Sequence, residues 1–123
     1  MTVARRILIV DDDAALLRML ERFLSRMAYE VVACSSSGEA WALFQREPSA
    51  YPLVLADFSL PGMSGAELAA KMLELNPQVR VLLASGYAVD VSGIAAGHCA
   101  RIGFLKKPFT PEMLATSVKE TFE

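Results

Sequence analysis

The stretch Ile7-Leu8-Ile9-Val10-Asp11-Asp12-Asp13 runs four apolar residues directly into three carboxylates, and Leu53-Val54-Leu55-Ala56-Asp57 repeats the pattern further on. A short apolar run rich in Val, Ile and Leu that stops abruptly at acidic residues reads as a strand buried on both faces, the kind a parallel sheet requires. Parallel strands end together. In an open α/β sheet, ligands collect in the crevice beyond the carboxyl edge, where the winding direction changes. Asp11, Asp12 and Asp57 are therefore expected at one edge, answered by Lys106-Lys107-Pro108 after the last apolar run. Three carboxylates and a lysine meeting there would make a small cation and phosphoryl site.

Further apolar runs at 30–33, 79–84 and 102–105 alternate with segments of helical periodicity, giving five βα units. In the first helical segment Leu16, Leu20, Phe23, Leu24 and Met27 share one side, opposite a solvated stripe of Arg18, Arg22 and Arg26. Ser36 or Ser37 can cap the second helix, which carries Ala40, Leu43 and Phe44, with Trp41 covering the sheet; Ser64 precedes the third, which ends before Asn76-Pro77. The segment 89–97 holds Gly93 and Gly97 beside Val91 and Ile94, making it the weakest of the expected helices. The last helix begins near Thr110-Pro111-Glu112, with a hydroxyl cap and proline at its first position.

A chain of 123 residues suits one domain with a single core and leaves no room for a second functional module. Its net charge of -2 comes from interspersed charges, without the basic stripe that follows a nucleic-acid backbone, so direct nucleic-acid binding is not expected. Cys34 and Cys99 lack a CxxC spacing and read as reduced thiols rather than zinc ligands. Arg5-Arg6 precedes an apolar run, but Asp11 ends that run too early for a signal peptide or a membrane span. The composition thus leads us to expect a soluble, cytoplasmic protein with no membrane contact.

Crowded carboxylates repel one another unless a cation or protein donors neutralise them, and magnesium, which takes one or two carboxylates and completes its shell with water and phosphate oxygens, suits Asp12 and Asp57. The same acidic run is equally compatible with a solvated turn in which Asp12 or Asp13 caps a helix. Asp57 beside a cation can act as a nucleophile towards phosphorus, giving an acyl phosphate. Lys107 would supply a point positive charge and Ser85 a hydroxyl donor. Singly, Lys107 reads as a surface lysine and Ser85-Gly86 as a turn; the placement of Asp11-Asp12, Asp57, Ser85 and Lys107 after strands one, three, four and five favours a joint role.

Four motifs, ILIVDDD at 7–13, LVLADFSLPGMSG at 53–65, LLASGY at 82–87 and GFLKKPF at 103–109, occur in an order and spacing that resembles the receiver domain of two-component response regulators over essentially the whole chain. The resemblance implies a flavodoxin-like doubly wound α/β fold, (βα)5, with five parallel strands in the order 2-1-3-4-5. Residues 1–123 would form one receiver domain, with no output domain in this chain. Asp57 would accept a phosphoryl group from a histidine kinase or a histidine phosphotransfer protein. Asp11, Asp12 and Asp57, joined by the main-chain carbonyl of Ser59, would hold Mg²⁺. Lys107 would pair with Asp57 before phosphorylation and contact the phosphoryl group after it, and Pro108 would follow a cis peptide. Ser59 and Tyr87 would flank the site and bear on the lifetime of the phosphorylated state.

Ser85 and Phe104 occupy the family's switch positions, so phosphorylation would draw Ser85 inward and turn Phe104, reshaping the surface of the fourth helical segment, fifth strand and last helix for a downstream partner. Serine stands here for the commoner threonine, and Phe104 for the frequent tyrosine; Phe104 also fits an ordinary core aromatic. The Ser85-Gly86-Tyr87 run is similar to receivers that serve hybrid kinases in a phosphorelay. Ala15, Arg18 and Met19 lie where the family's kinase-docking surface would be. Such a module catalyses only its own phosphorylation and dephosphorylation, and would be a monomer or a phosphorylation-dependent dimer.

Two other readings compete. A Mg²⁺-dependent aspartyl-phosphate phosphohydrolase similar to the haloacid dehalogenases would use Asp11 and Asp13 as its Asp-x-Asp pair, but would need a cap and leaves the Lys-Pro element unexplained. A degenerate receiver or flavodoxin-like module would act only by binding; the full set of site residues speaks against the first, and the missing Ser/Thr/Gly phosphate loop after the first strand against the second. His98, without a partner set, reads as a loop residue.

Overall fold

The computed structural model describes residues 5–86 and 101–122. Five parallel strands, β1 (Arg6–Val10), β2 (Glu30–Cys34), β3 (Leu53–Asp57), β4 (Arg80–Ser85) and β5 (Ile102–Lys106), form one sheet in the order β2-β1-β3-β4-β5. Helices α1 (Ala14–Arg26), α2 (Ser37–Arg46) and α3 (Gly65–Leu75) follow the first three strands, and α4 (Pro111–Phe122) follows β5. The expected helix at 89–97 lies outside the described residues, as do Tyr87, His98 and Cys99. Several strands end one residue later than the apolar runs suggest: Cys34 still pairs with Val10, and Ser85 with Lys106.

Strand alternation sorts the core into two layers. Leu8, Val10, Val54, Ala56, Val81 and Leu83 face α2 and α3, where they meet Phe44, Leu68 and Met72. Ile7, Ile9, Leu53, Leu55, Leu82 and Leu105 point the other way, against Leu20 and Leu24 of α1 and Leu114 and Val118 of α4. Helices on both faces explain why the three inner strands read as unbroken apolar runs. β5 is an edge strand and alternates instead: Leu105 is buried whereas Phe104 and Lys106 are exposed. Trp41 is half-buried against the first layer, stacked 6.3 Å from Phe44 and beneath the Lys71 ammonium.

Caps fix the helix starts. Asp13 accepts from the amides of Ala15 and Leu16, which settles which of the acidic residues caps α1. Ser36, not Ser37, caps α2, Ser64 caps α3, and the Thr110 hydroxyl accepts from the amide of Met113 at the start of α4.

Candidate functional site

The chain leaves β1 towards β2 on one side and reaches β3 on the other, so the winding reverses between β1 and β3. Val10 and Ala56 are register partners there, which sets Asp11 and Asp57, the next residue along each chain, side by side in the crevice. Asp12 joins them: one carboxylate oxygen from each of Asp11, Asp12 and Asp57 lies within 4.8 Å of the others. Asp11 is buried, Asp57 half-buried and Asp12 exposed, grading the cluster from protein interior to solvent.

Lys107 closes the site from β5. Its amide donates to the Ser85 carbonyl at 2.8 Å, anchoring the residue beyond the end of β4, and the Lys107–Pro108 peptide is cis. The ammonium nitrogen stands 3.4 Å from Asp57 Oδ1 and equally 3.4 Å from Asp11 Oδ2. Lys107 therefore bridges the two carboxylates, where the sequence suggested pairing with Asp57 alone. Ser85 is buried at 5 % exposure at the end of β4, in register with Lys106. Ser59 lies exposed two residues beyond Asp57. Phe104 is 47 % exposed, which excludes the core-aromatic alternative.

Burial is the largest influence on the Asp11 carboxyl and pushes its pKa up, aided by the Asp57 charge and opposed by the amide of Asp13 and the Lys107 ammonium. A folded-state pKa above the unfolded value means that the native protein holds the proton more tightly. The ionised carboxylate then lowers stability once pH rises past the ordinary carboxylate range. As pH falls from neutral through the window between the ordinary value and the raised one, Asp11 should add stability to the metal-free protein. Asp11→Asn imitates the protonated form and keeps the acceptor for Asp13. Its metal-free thermal midpoint should lie a few degrees above the parent's at neutral pH, with the gap narrowing towards about pH 4 in calorimetry. A midpoint below the parent's would mean that the Lys107 bridge outweighs burial.

Two glycines escaped the sequence reading. Gly65 opens α3 directly under the end of β3, and a Cβ there would collide with the Asp57 carbonyl and come within 2.9 Å of Phe58 Cα. A methyl on Gly103 would sit 3.1 Å from Leu82 Cδ1, so β5 also approaches its neighbour closely. Both glycines belong to the motifs already quoted, but close approach leaves no mark in composition or periodicity. Cys34, beside the site at the end of β2, is a free thiol that burial, with Glu39 nearby, pushes up to about 12. It is an inert core residue.

The family model of the response regulator receiver domain matches residues 7–119. The chain belongs to that family. This receiver is 37% identical over 112 residues to the two-component response regulator ARR14 of Arabidopsis thaliana, covering 89% of this chain and 28% of that protein. It is 32% identical over 117 residues to the sensor kinase CckA of Brucella abortus, covering 95% of this chain and 12% of that kinase. The receiver thus spans less than a third of either relative's length. Among solved structures, a CheY-like response regulator receiver domain protein from Methanospirillum hungatei matches with a TM-score of 0.84 at 34% identity, over 96% of this chain and 93% of that one. Among the described residues no helix is long and apolar enough to cross a membrane.

Proposed function

We propose that this receiver takes a phosphoryl group on Asp57 from the phosphohistidine of a kinase or phosphotransfer protein and passes the event to a downstream partner through its β5 and α4 surface. The observation that carries the reading is Lys107, held 3.4 Å from both Asp57 and Asp11 at the edge where β1 and β3 diverge. An Asp57 carboxylate oxygen forms a bond to phosphorus while the phosphorus–nitrogen bond of the donor breaks, the electron pair leaving with the imidazole. Lys107 would release its hold on the carboxylate and neutralise a phosphoryl oxygen instead.

The chemistry of the donor set fits a hard divalent cation: three carboxylates converge and burial already disfavours the charge on one of them. Magnesium held by Asp11, Asp12 and Asp57, with the Ser59 carbonyl, would neutralise the carboxylates and the incoming phosphoryl oxygens. Ser85, buried at the end of the neighbouring strand, would meet the phosphoryl group, and exposed Phe104 would move inward as Ser85 does. The similarity to a sensor kinase joins the Ser85-Gly86-Tyr87 run in favouring a place in a phosphorelay, in the cytoplasm.

Intact-mass spectrometry after incubation with acetyl phosphate tests the reading. One phosphoryl adduct should form with Mg²⁺ and none with a chelator, and Mg²⁺ alone should raise the thermal midpoint, by about 2.7 kcal/mol of stability at a hundredfold excess over its dissociation constant. Steady release of free phosphate without an adduct would instead favour a hydrolase.

A further inference from the structure

Of the opening acidic run, Asp13 alone stays out of the carboxylate cluster: Asp11 and Asp12 converge with Asp57, whereas the Asp13 side chain turns to the start of α1. Its Oδ1 accepts from the amides of Ala15 and Leu16 at 3.1 and 3.2 Å, and its main-chain carbonyl accepts from the amide of Leu17 at 2.9 Å. Its own amide donates to Asp11 Oδ1 at 2.9 Å. The cap holds Asp13 in extended backbone, at φ -85° and ψ 103°, and this backbone aims the amide at Asp11. No acid in the first turn of α1 can take over the cap, and the helix itself is fixed on the sheet by buried Leu20 and Leu24. Asp11, only 4 % exposed, is thus held at three points: its amide donates to the Cys34 carbonyl, Oδ1 takes the Asp13 amide, and Oδ2 lies 3.4 Å from the Lys107 ammonium.

We infer that Asp13 is a positioning residue for the cation site: by capping α1 it aims its amide at Asp11 Oδ1 and so keeps Oδ2 turned to the side from which a cation is taken. The role rests on the reading of this edge as a Mg²⁺-assisted phosphoacceptor site. When the cap is lost the start of α1 frays, the Asp13 amide wanders, and the Asp11 carboxylate gains orientations that binding must take away again. Groups that orient a metal ligand without touching the metal govern about 10–100-fold of its affinity. The Asp13 charge itself counts for little, because Oδ1 is committed to two amides and the exposed remainder is screened by salt.

Calorimetric titration of Mg²⁺ into the metal-free protein, at about 0.15 M salt and well below the thermal midpoint, separates position from charge. Affinity should follow capping strength: Asp13→Asn and Asp13→Ser bind Mg²⁺ like the parent, Asp13→Gly about twofold more weakly and Asp13→Ala about tenfold more weakly. A cap that served only stability would lower the midpoint of Asp13→Ala and leave its Mg²⁺ dissociation constant at the parent's value, which would overturn the positioning role. Asparagine and serine variants as weak as alanine would overturn it too, by showing that the charge draws the ion. Should Asp13→Ala fail to fold, the ranking of Asn and Ser above Gly decides in its place. With acetyl phosphate, Asp13→Ala should need about tenfold more Mg²⁺ for half-maximal labelling and reach the parent's rate at saturation. A lower rate at saturation would place Asp13 in the chemistry and overturn positioning. A parent that binds Mg²⁺ but takes no phosphoryl group would overturn the phosphoacceptor reading, while the titration still decides what Asp13 does for the ion; a parent that binds no Mg²⁺ would overturn the positioning role outright.

Discussion

Asp57→Asn should yield a protein that folds at least as well as the parent and forms no phosphoryl adduct with acetyl phosphate and Mg²⁺. The amide has no anionic oxygen to attack phosphorus, so the loss is complete rather than partial. Stability should move the other way. Asp57 shares the crevice with Asp11 and Asp12, all three within 4.8 Å, and its charge is one of the influences that raise the Asp11 pKa. Asparagine keeps the shape and removes one of the repelling charges. Its cost is the Lys107 contact, but the ammonium retains Asp11 at the same 3.4 Å. Intact mass and thermal midpoint, measured on one preparation, therefore separate chemistry from folding: no adduct with an unchanged or higher midpoint is the expected pair. An adduct at the parent's rate would place the acceptor at another residue, and a collapsed midpoint would mean that the Lys107–Asp57 contact is structural.

The parts of this site that could be read from the chain are those whose signal is local. A strand buried on both faces must be apolar throughout, so its end is visible wherever the acids begin, and β1 and β3 stand close to where those edges lie. Caps are local too, since Asp13, Ser64 and Thr110 act on amides two or three residues away. What stayed hidden depends on distance through space. The bond between Lys107 and Asp11 spans 96 residues, and nothing in either neighbourhood says that one ammonium serves two carboxylates. Phe104 could be core or surface even with β5 expected at the edge of the sheet, because which residues of an edge strand are covered depends on what packs beside it. The order and spacing of four motifs carried the remainder, through resemblance and not through physics.

Gly65→Ala should slow phosphorylation by about a hundredfold while lowering stability, although the substitution looks harmless in the sequence. Helix propensity alone favours alanine over glycine by about 1 kcal/mol within a helix, so without a tertiary contact the variant would be the more stable one. The contact reverses the sign. Gly65 begins α3 with its amide donating to the Phe58 carbonyl at 2.9 Å, and a methyl group there would meet backbone, Phe58 Cα at 2.9 Å and the Asp57 carbonyl carbon at 3.1 Å. Backbone cannot swing aside as a side chain can. Either α3 or the end of β3 must shift, at the roughly 1–3 kcal/mol typical of overpacking. If β3 yields, Asp57 moves relative to Lys107 and the other carboxylates, and a displacement near 1 Å is enough for about a hundredfold loss in rate. If α3 yields instead, the midpoint falls and the acetyl phosphate rate holds. The two measurements together thus report which element is the stiffer, and a variant both more stable and equally fast would show that the approach of α3 to the acceptor strand is looser than these distances require.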